Sequence, residues 1–96
     1  MREQENETLA RWTGISSYTT IPPDYFSDMN ALVRDLVPKL NELGYSVRLD
    51  YCQDGRKIAH LDPDDYGKQK YYACEGENMT EAFANTCLKL ARGEKS

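Results

Sequence analysis

The feature that most constrains this chain is an amphipathic segment that runs from Ser27 to Gly44. Its apolar residues recur every three or four positions, the spacing of one helical face. They are Met29, Leu32, Val33, Leu36, Val37, Leu40 and Leu43. Ser27 can cap the first turn with its hydroxyl, and Gly44 supplies a left-handed stop. Such a helix is unstable alone in water, so the rest of the chain must cover its apolar face.

Pro38 lies inside this segment. A proline in a helix interior removes one backbone hydrogen bond and costs roughly 3 kcal/mol. The apolar pattern nevertheless continues through Leu40 and Leu43. The sequence therefore predicts one kinked helix rather than two separate ones.

After the helix, the apolar period changes to two, which is typical of a half-buried strand. The alternating residues are Tyr45, Val47, Leu49 and Tyr51. Asp54-Gly55 is a strong tight-turn signal. If these two residues form the loop, Leu49 lies opposite His60 and Tyr51 lies opposite Ile58. That register predicts Ile58 and His60 on the core face, and it leaves Ala59 and Leu61 on the other face.

The second strand is predicted at about Arg56 to Leu61 and a third at Gln69 to Glu75. Asn78 and Glu81 then form a capping box that opens a second apolar helix, which ends at Gly93. The predicted fold class is α+β, with a three-stranded antiparallel sheet and two main helices in the order α-β-β-β-α. We expect residues 1–8 to be polar and partly disordered, and residues 9–93 to form a single domain.

A short N-terminal segment precedes these elements. Leu9, Ala10 and Trp12 predict a single helical turn, which Thr13-Gly14 would end. Trp12 is the only tryptophan, and a chain of 96 residues rarely leaves such a side chain fully exposed. We expect it to pack against the edge of the core.

Composition excludes several classes of function. The net charge of −4 disfavours general binding to nucleic-acid phosphates, which requires clustered cations. No segment resembles a signal peptide or a membrane span. The three cysteines are widely spaced and contain no C-x-x-C pair, so neither a disulfide framework nor a zinc ribbon is indicated. We therefore expect a cytoplasmic protein without a membrane association or a cofactor.

No residue pattern indicates catalysis. The single histidine, His60, could pair with Cys52 or Cys74, although a partly buried strand histidine with one hydrogen bond is the favoured interpretation. The carboxylates Asp62, Asp64 and Asp65 lack the spacing of a calcium loop and are ordinary in a solvated turn. The sequence predicts no catalytic and no metal-binding residues.

Tyrosine is over-represented, with seven residues. Its ring buries area while its hydroxyl keeps a hydrogen bond, so tyrosine is common at interfaces, although it also completes the rim of small cores. We assign Tyr45 and Tyr51 to the core. Tyr18, Tyr66 and Tyr71 are the exposed candidates.

The segments LARWTG, PPDYFSDMNALVRDLVPKL and EAFANTCLKLARG resemble the small bacteriophage and prophage proteins of the phage ABA sandwich type. The resemblance covers about residues 9–92 and is most specific at the Ser27-Asp28 helix start. Phe26 and Pro38 depart from the pattern. The resemblance implies a phage or mobile-element origin and an α/β sandwich, and it offers no catalytic residues.

The same element order occurs in double-stranded RNA-binding domains, whose last helix begins with cations that meet phosphates. Here that helix begins with Asn78 and Glu81 and follows two further acids. The sign of this charge is wrong for RNA, so no direct nucleic-acid contact is predicted.

Taken with the phage origin that the resemblance to phage ABA sandwich proteins implies, these observations predict a non-enzymatic, phage-derived binding protein in the bacterial cytoplasm. It would obstruct a host protein or complex that itself binds nucleic acid, such as a CRISPR nuclease, and so act as an anti-CRISPR inhibitor. The predicted binding residues are Asp62, Asp64, Asp65, Tyr66, Tyr71, Glu75 and Glu77. If both helices cover one face of the sheet, the opposite face would suit a homodimer.

Two alternatives stay open. One is a sponge that captures a nucleotide signal in an oligomer interface. It would use Arg48 and Arg56 for phosphate and Tyr71 for a base. The other is a virion or replication accessory protein with no inhibitory role.

Overall fold

The computed structural model describes residues 3–14 and 23–93. Three strands form an antiparallel sheet in the order β1-β2-β3, with helices before and after it. The elements are α1 Glu3–Trp12, α2 Met29–Glu42, β1 Tyr45–Tyr51, β2 Lys57–Pro63, β3 Tyr72–Gly76 and α3 Met79–Arg92. This order confirms the predicted α+β fold and its three-stranded meander.

The N-terminal helix α1 is longer than the sequence predicted. Only one turn around Leu9 and Trp12 was expected, whereas the helix begins at Glu3. Acidic residues in its first turn, Glu3 and Glu5, complement the positive end of the helix dipole. Leu9 is fully buried, and Trp12 packs against the core as expected.

The central helix α2 begins one residue later than predicted. Asp28, rather than Ser27, is the N-cap, and its Oδ1 accepts a hydrogen bond from the Ala31 N–H at 3.2 Å. Ser27 instead donates its hydroxyl to Asp24 Oδ2. The helix continues through Pro38, which lies on its exposed side, so the prediction of one helix is confirmed.

The β1–β2 hairpin differs from the predicted register by one residue. Cys52 N–H donates to Arg56 C=O and closes a three-residue loop, in which Gly55 adopts a φ of +93°. A turn followed by a left-handed glycine is a common hairpin of this length. Leu49 therefore lies opposite Ala59, not His60.

A shift of one residue exchanges the two faces of a strand. Ala59 and Leu61 are fully buried beneath the helices, whereas Ile58 and His60 lie on the other face. The predicted core assignment of these four β2 residues is therefore wrong. Ala59 and Leu61 share the buried face with Tyr45, a core tyrosine as predicted.

Both α2 and α3 pack on the same face of the sheet. α2 contacts β1, and α3 contacts β2 and β3. Thr86 of α3 is fully buried and donates its hydroxyl to the Ala59 carbonyl at 3.0 Å. A Cβ on Gly76 would lie 2.4 Å from the Ala82 nitrogen, so only glycine permits this close approach of β3 to α3.

Two other tyrosine predictions have different outcomes. Tyr51 is 73% exposed at the end of β1, so its assignment to the core is wrong. It is the last residue of β1, beside the hairpin loop and opposite Lys57. Tyr18 lies outside the described residues.

No helix in the described ranges combines the length and the apolar character that spanning a bilayer requires.

Candidate binding face

One face of the sheet carries no helix among the described residues, and we call it the open face. Strand side chains alternate between the two faces of a sheet. The paired register therefore assigns one set of residues to the open face. They are Ser46, Arg48, Asp50, Ile58, His60, Asp62, Ala73 and Glu75. Most of them are polar or charged.

His60 occupies the middle of the open face, directly opposite Arg48 on β1. Its side chain is only 12% exposed. Its Nδ1 contacts the Tyr71 hydroxyl, and the two rings stack with their centroids 5.8 Å apart. This confirms the predicted partly buried histidine with a hydrogen bond. Cys74 pairs with Ala59 and so lies on the helix-covered face, away from the imidazole.

Asp50 connects His60 to Arg48. Its Oδ2 lies 2.8 Å from His60 Nε2 and accepts a hydrogen bond from Arg48 Nη1 at 2.9 Å. The carboxylate lies off the direction of the ring N–H, so Nε2 is buried without an aligned hydrogen bond to any described residue. The contact becomes an ion pair when His60 carries a proton.

Arg48 also holds Asp62, which in turn holds Tyr66. Arg48 Nε donates to Asp62 Oδ2 at 3.1 Å, and the Tyr66 hydroxyl donates to Asp62 Oδ1 at 3.2 Å. The hydrogen bond from Arg48 lowers the pKa of Asp62 below its ordinary value. Desolvation, followed by the bond to Asp62, raises the pKa of Tyr66. The negative charge of Asp62 is therefore already paired with Arg48 within the fold.

The loop after β2 carries two carboxylates of a different kind. Asp64 and Asp65 are exposed, and neither is within ion-pair distance of a cation among residues 3–14 and 23–93. Asp65 accepts a backbone hydrogen bond from Gly67 at 2.9 Å, which fixes its orientation. Tyr66 stands between this loop and the open face and is 66% exposed. We call Asp64, Asp65 and Tyr66 the acidic corner.

The remaining two predicted binding residues lie elsewhere. Glu75 is opposite Ile58, four residues along β2 from Asp62, a separation of roughly 13 Å at about 3.3 Å per residue. Glu75 forms an ion pair with Arg56 at 3.4 Å. It lines a shallow depression with Glu77 near the hairpin. The structure therefore does not combine Glu75 and Glu77 with the acidic corner.

The structure thus divides the seven predicted residues. Asp62 and Tyr71 belong to one network on the open face, in which hydrogen bonds and the contact between His60 and Asp50 connect them to Tyr66 at the acidic corner. Sequence reasoning missed two members of this network, Asp50 and His60. The alternation of charge along β1 could have indicated them, but only in the correct hairpin register, which places His60 beside both Asp50 and Arg48.

No three His, Cys, Asp or Glu side chains in the described part of the chain are grouped as metal ligands would be. The three cysteines carry free thiols. Cys87 is fully buried in α3, and burial raises the pKa of its thiol, which keeps it protonated and unreactive.

The network on the open face orients its members, because each of its charged or aromatic side chains is held by a neighbour.

No protein-family model matches this chain, and neither a curated protein nor a solved structure matches it. The resemblance to phage ABA sandwich proteins therefore stays a prediction.

Proposed function

We propose that this chain is a non-enzymatic binding protein that obstructs a basic surface on another protein. The observation that carries the proposal is the acidic corner, where two exposed carboxylates without cationic partners among the described residues flank an exposed tyrosine. Complementary charge accelerates encounter and fixes orientation, while a tyrosine supplies buried area with a hydrogen bond. A surface that normally holds nucleic acid offers both the positive charge and the groove that such a corner would fill.

The network behind the corner favours tight binding. Tyr66 is held by Asp62, and Asp62 is held by Arg48. A side chain that is already oriented loses less conformational entropy when a partner covers it. Tyr71, stacked on His60, provides a second oriented ring nearby. These two tyrosines are the proposed anchors, and Asp64 and Asp65 provide the charge.

The target that we propose is a host defence complex, such as a CRISPR nuclease, in the bacterial cytoplasm. This part of the proposal rests on the resemblance of the sequence to phage proteins, since small phage accessory proteins often bind host components. The experiment expresses the chain in bacteria whose CRISPR system targets an infecting phage. Plaque counts should rise to those of a strain without the system.

The acidic corner is tested by charge reversal. The double variant Asp64→Lys, Asp65→Lys should lose the protection of the phage, and Asp65→Lys alone should weaken it. Glu77→Lys is the matched control for Asp65→Lys, because it reverses one acidic charge near the hairpin rather than at the corner. Circular dichroism should show all variants folded. Full protection by the double variant would remove the acidic corner from the proposal.

A biochemical measurement separates obstruction from other forms of protection. The purified chain should displace labelled target DNA from the nuclease complex, and the displacement should weaken as salt is added, because charge complementarity is screened. DNA that stays bound while the phage is protected would point to a step after DNA binding.

The nucleotide-sponge alternative receives less support from the geometry. Arg48 is held by Asp50 and Asp62, while Arg56 lies at the hairpin and pairs with Asp54. The two arginines therefore do not converge with Tyr71 on one site in a single chain. A thermal-shift screen with cyclic dinucleotides tests this alternative, and a saturable shift that Arg48→Met abolishes would favour it.

A further inference from the structure

The outer edge of β1, the first strand of the sheet, is a feature separate from the acidic corner. Cys52 donates to Arg56, and Asp64 donates to Gly44, so even-numbered residues of β1 form the hydrogen-bonded pairs with β2. The backbone N–H and C=O groups of the odd-numbered residues therefore point away from the sheet. None of these groups is hydrogen-bonded to another described residue. A strand edge of this kind is a template for another strand.

Apolar side chains border the same edge. Tyr51 is 73% exposed and Leu49 is 42% exposed, both on β1. Val33 of α2, which packs against β1, is 51% exposed. Together with Tyr66 these are the exposed large apolar residues in the described part of the chain, and two of the four lie on β1 itself.

We propose that a second copy of this chain occupies the edge. The two β1 strands would pair antiparallel about a two-fold axis and form a continuous six-stranded sheet. With Leu49 opposite Leu49 of the partner subunit, Tyr51 covers Val47 of the partner subunit. About six main-chain hydrogen bonds join the strands in this register, two for each closely paired position.

Charge selects this register over its neighbours. On the open face, the register places Arg48 opposite Asp50 of the partner subunit, and the two-fold axis repeats the pair. A shift that places Arg48 opposite Arg48 of the partner subunit brings like charges together, and a shift in the other direction opposes Asp50 to Asp50 of the partner subunit. Opposite charges across strands stabilise pairing and like charges destabilise it. A self-complementary edge is what a two-fold dimer requires.

The charge pattern provides a test by complementation. Arg48→Glu leaves two acidic residues at the edge, and Asp50→Arg leaves two basic residues. Each variant alone should be mainly monomeric in sedimentation velocity, with its dimer dissociation constant raised by about tenfold or more from two repulsive pairs. An equimolar mixture should recover a dimer, seen as the heterodimer mass in native mass spectrometry. A merely structural role of either residue would not produce this recovery.

A second variant keeps the test independent of the open-face network. Leu49→Lys places two cations at the axis and should give a monomer with an unchanged circular dichroism spectrum, because Leu49 is already partly exposed. Arg92→Glu, an exposed reversal on α3, should leave the dimer intact. A wild-type chain that stays monomeric at high micromolar concentration would overturn the proposal, as would a dimer that survives Leu49→Lys. Either result leaves the function of the acidic corner unaffected.

Discussion

The two faces of the sheet show how differently one hairpin can use alternate residues. The helix-covered face presents Ala59 and Leu61, both fully buried. The open face presents Arg48 and Asp50, which are joined by a hydrogen bond, and His60, whose ring contacts the Asp50 carboxylate. The covered face gains stability from removal of apolar area from water, and the open face keeps its charges paired at the surface. Buried apolar residues and charged surface residues are therefore separated by a single step along the strand.

The largest expected effect contrasts neighbouring apolar residues on the two faces. Leu61→Ala should lower the free energy of unfolding by about 2–5 kcal/mol, because it leaves a cavity beneath the helices. Ile58→Ala on the open face should cost under about 1.5 kcal/mol, since Ile58 is only half-buried. Urea unfolding followed by circular dichroism measures both. A larger loss of stability from Ile58→Ala than from Leu61→Ala would favour the register with a two-residue loop.

The next effect concerns the hairpin loop, whose length determines which β2 side chains lie on each face of the sheet. Gly55→Ala should lower the free energy of unfolding by roughly 1–2 kcal/mol, because Gly55 has a φ of +93°, which strains a residue with a Cβ. An added Cβ at this position would meet open space, so a steric clash would not contribute. Gly67→Ala is the control, because its φ lies outside the left-handed region and an added Cβ would closely approach only Asp65 Oδ1, at 3.2 Å, an atom of an exposed side chain that can shift. The same urea titration should show the control within about 0.5 kcal/mol of the wild type. Equal effects of the two substitutions would contradict the three-residue loop.

A smaller effect compares two tyrosines that differ in burial. Tyr71→Phe removes the hydroxyl that contacts His60 Nδ1 and should cost about 1 kcal/mol, because the imidazole is mostly buried. Tyr66→Phe removes an exposed hydrogen bond to Asp62 and should cost less than about 0.5 kcal/mol. Thermal unfolding measures the difference. A larger loss of stability from Tyr66→Phe than from Tyr71→Phe would mean that the hydrogen bond at the acidic corner contributes more than the one at the centre of the open face.

The smallest effect is a dependence on pH. The pKa of Asp62 is lowered by Arg48, so Asp62 contributes stability above the ordinary carboxyl pKa and loses it as the pH falls through the folded-state value. Arg48→Met should raise the pKa of Asp62, as followed by carboxyl ¹³C chemical shifts. The variant should also lose less stability than the wild type between pH 5 and pH 2. An unchanged Asp62 titration would exclude the Arg48 hydrogen bond in solution.

Local signals were sufficient for most of the elements. The apolar period and the capping box of Asn78 and Glu81 predicted α3 with its start, and Asn78 Oδ1 does accept from the Glu81 N–H. The change of period after Gly44 predicted β1. The length of α1 was missed because its first residues are all polar, and the signal for a helix there is the charge of its first turn rather than an apolar stripe.

The candidate site was predictable only in part. The acidic corner follows directly from exposed residues of one loop, so Asp64, Asp65 and Tyr66 could be named from the sequence. The network around His60 could not, because its members come from β1, β2 and the residue before β3. Their proximity depends on strand register, and one residue of error in a loop moves every side chain of the next strand to the wrong face.

By itself, then, the sequence determined α2, α3, the three strands and their antiparallel order, because period, caps and turn residues act over a few neighbouring positions. Tertiary structure decided which face of each strand is covered and which charges meet. It did so through the closure of a three-residue loop at Gly55 and the packing of α2 and α3 on one side. Those choices depend on burying Leu61 and Ala59 together, a gain that exists only when distant segments are assembled.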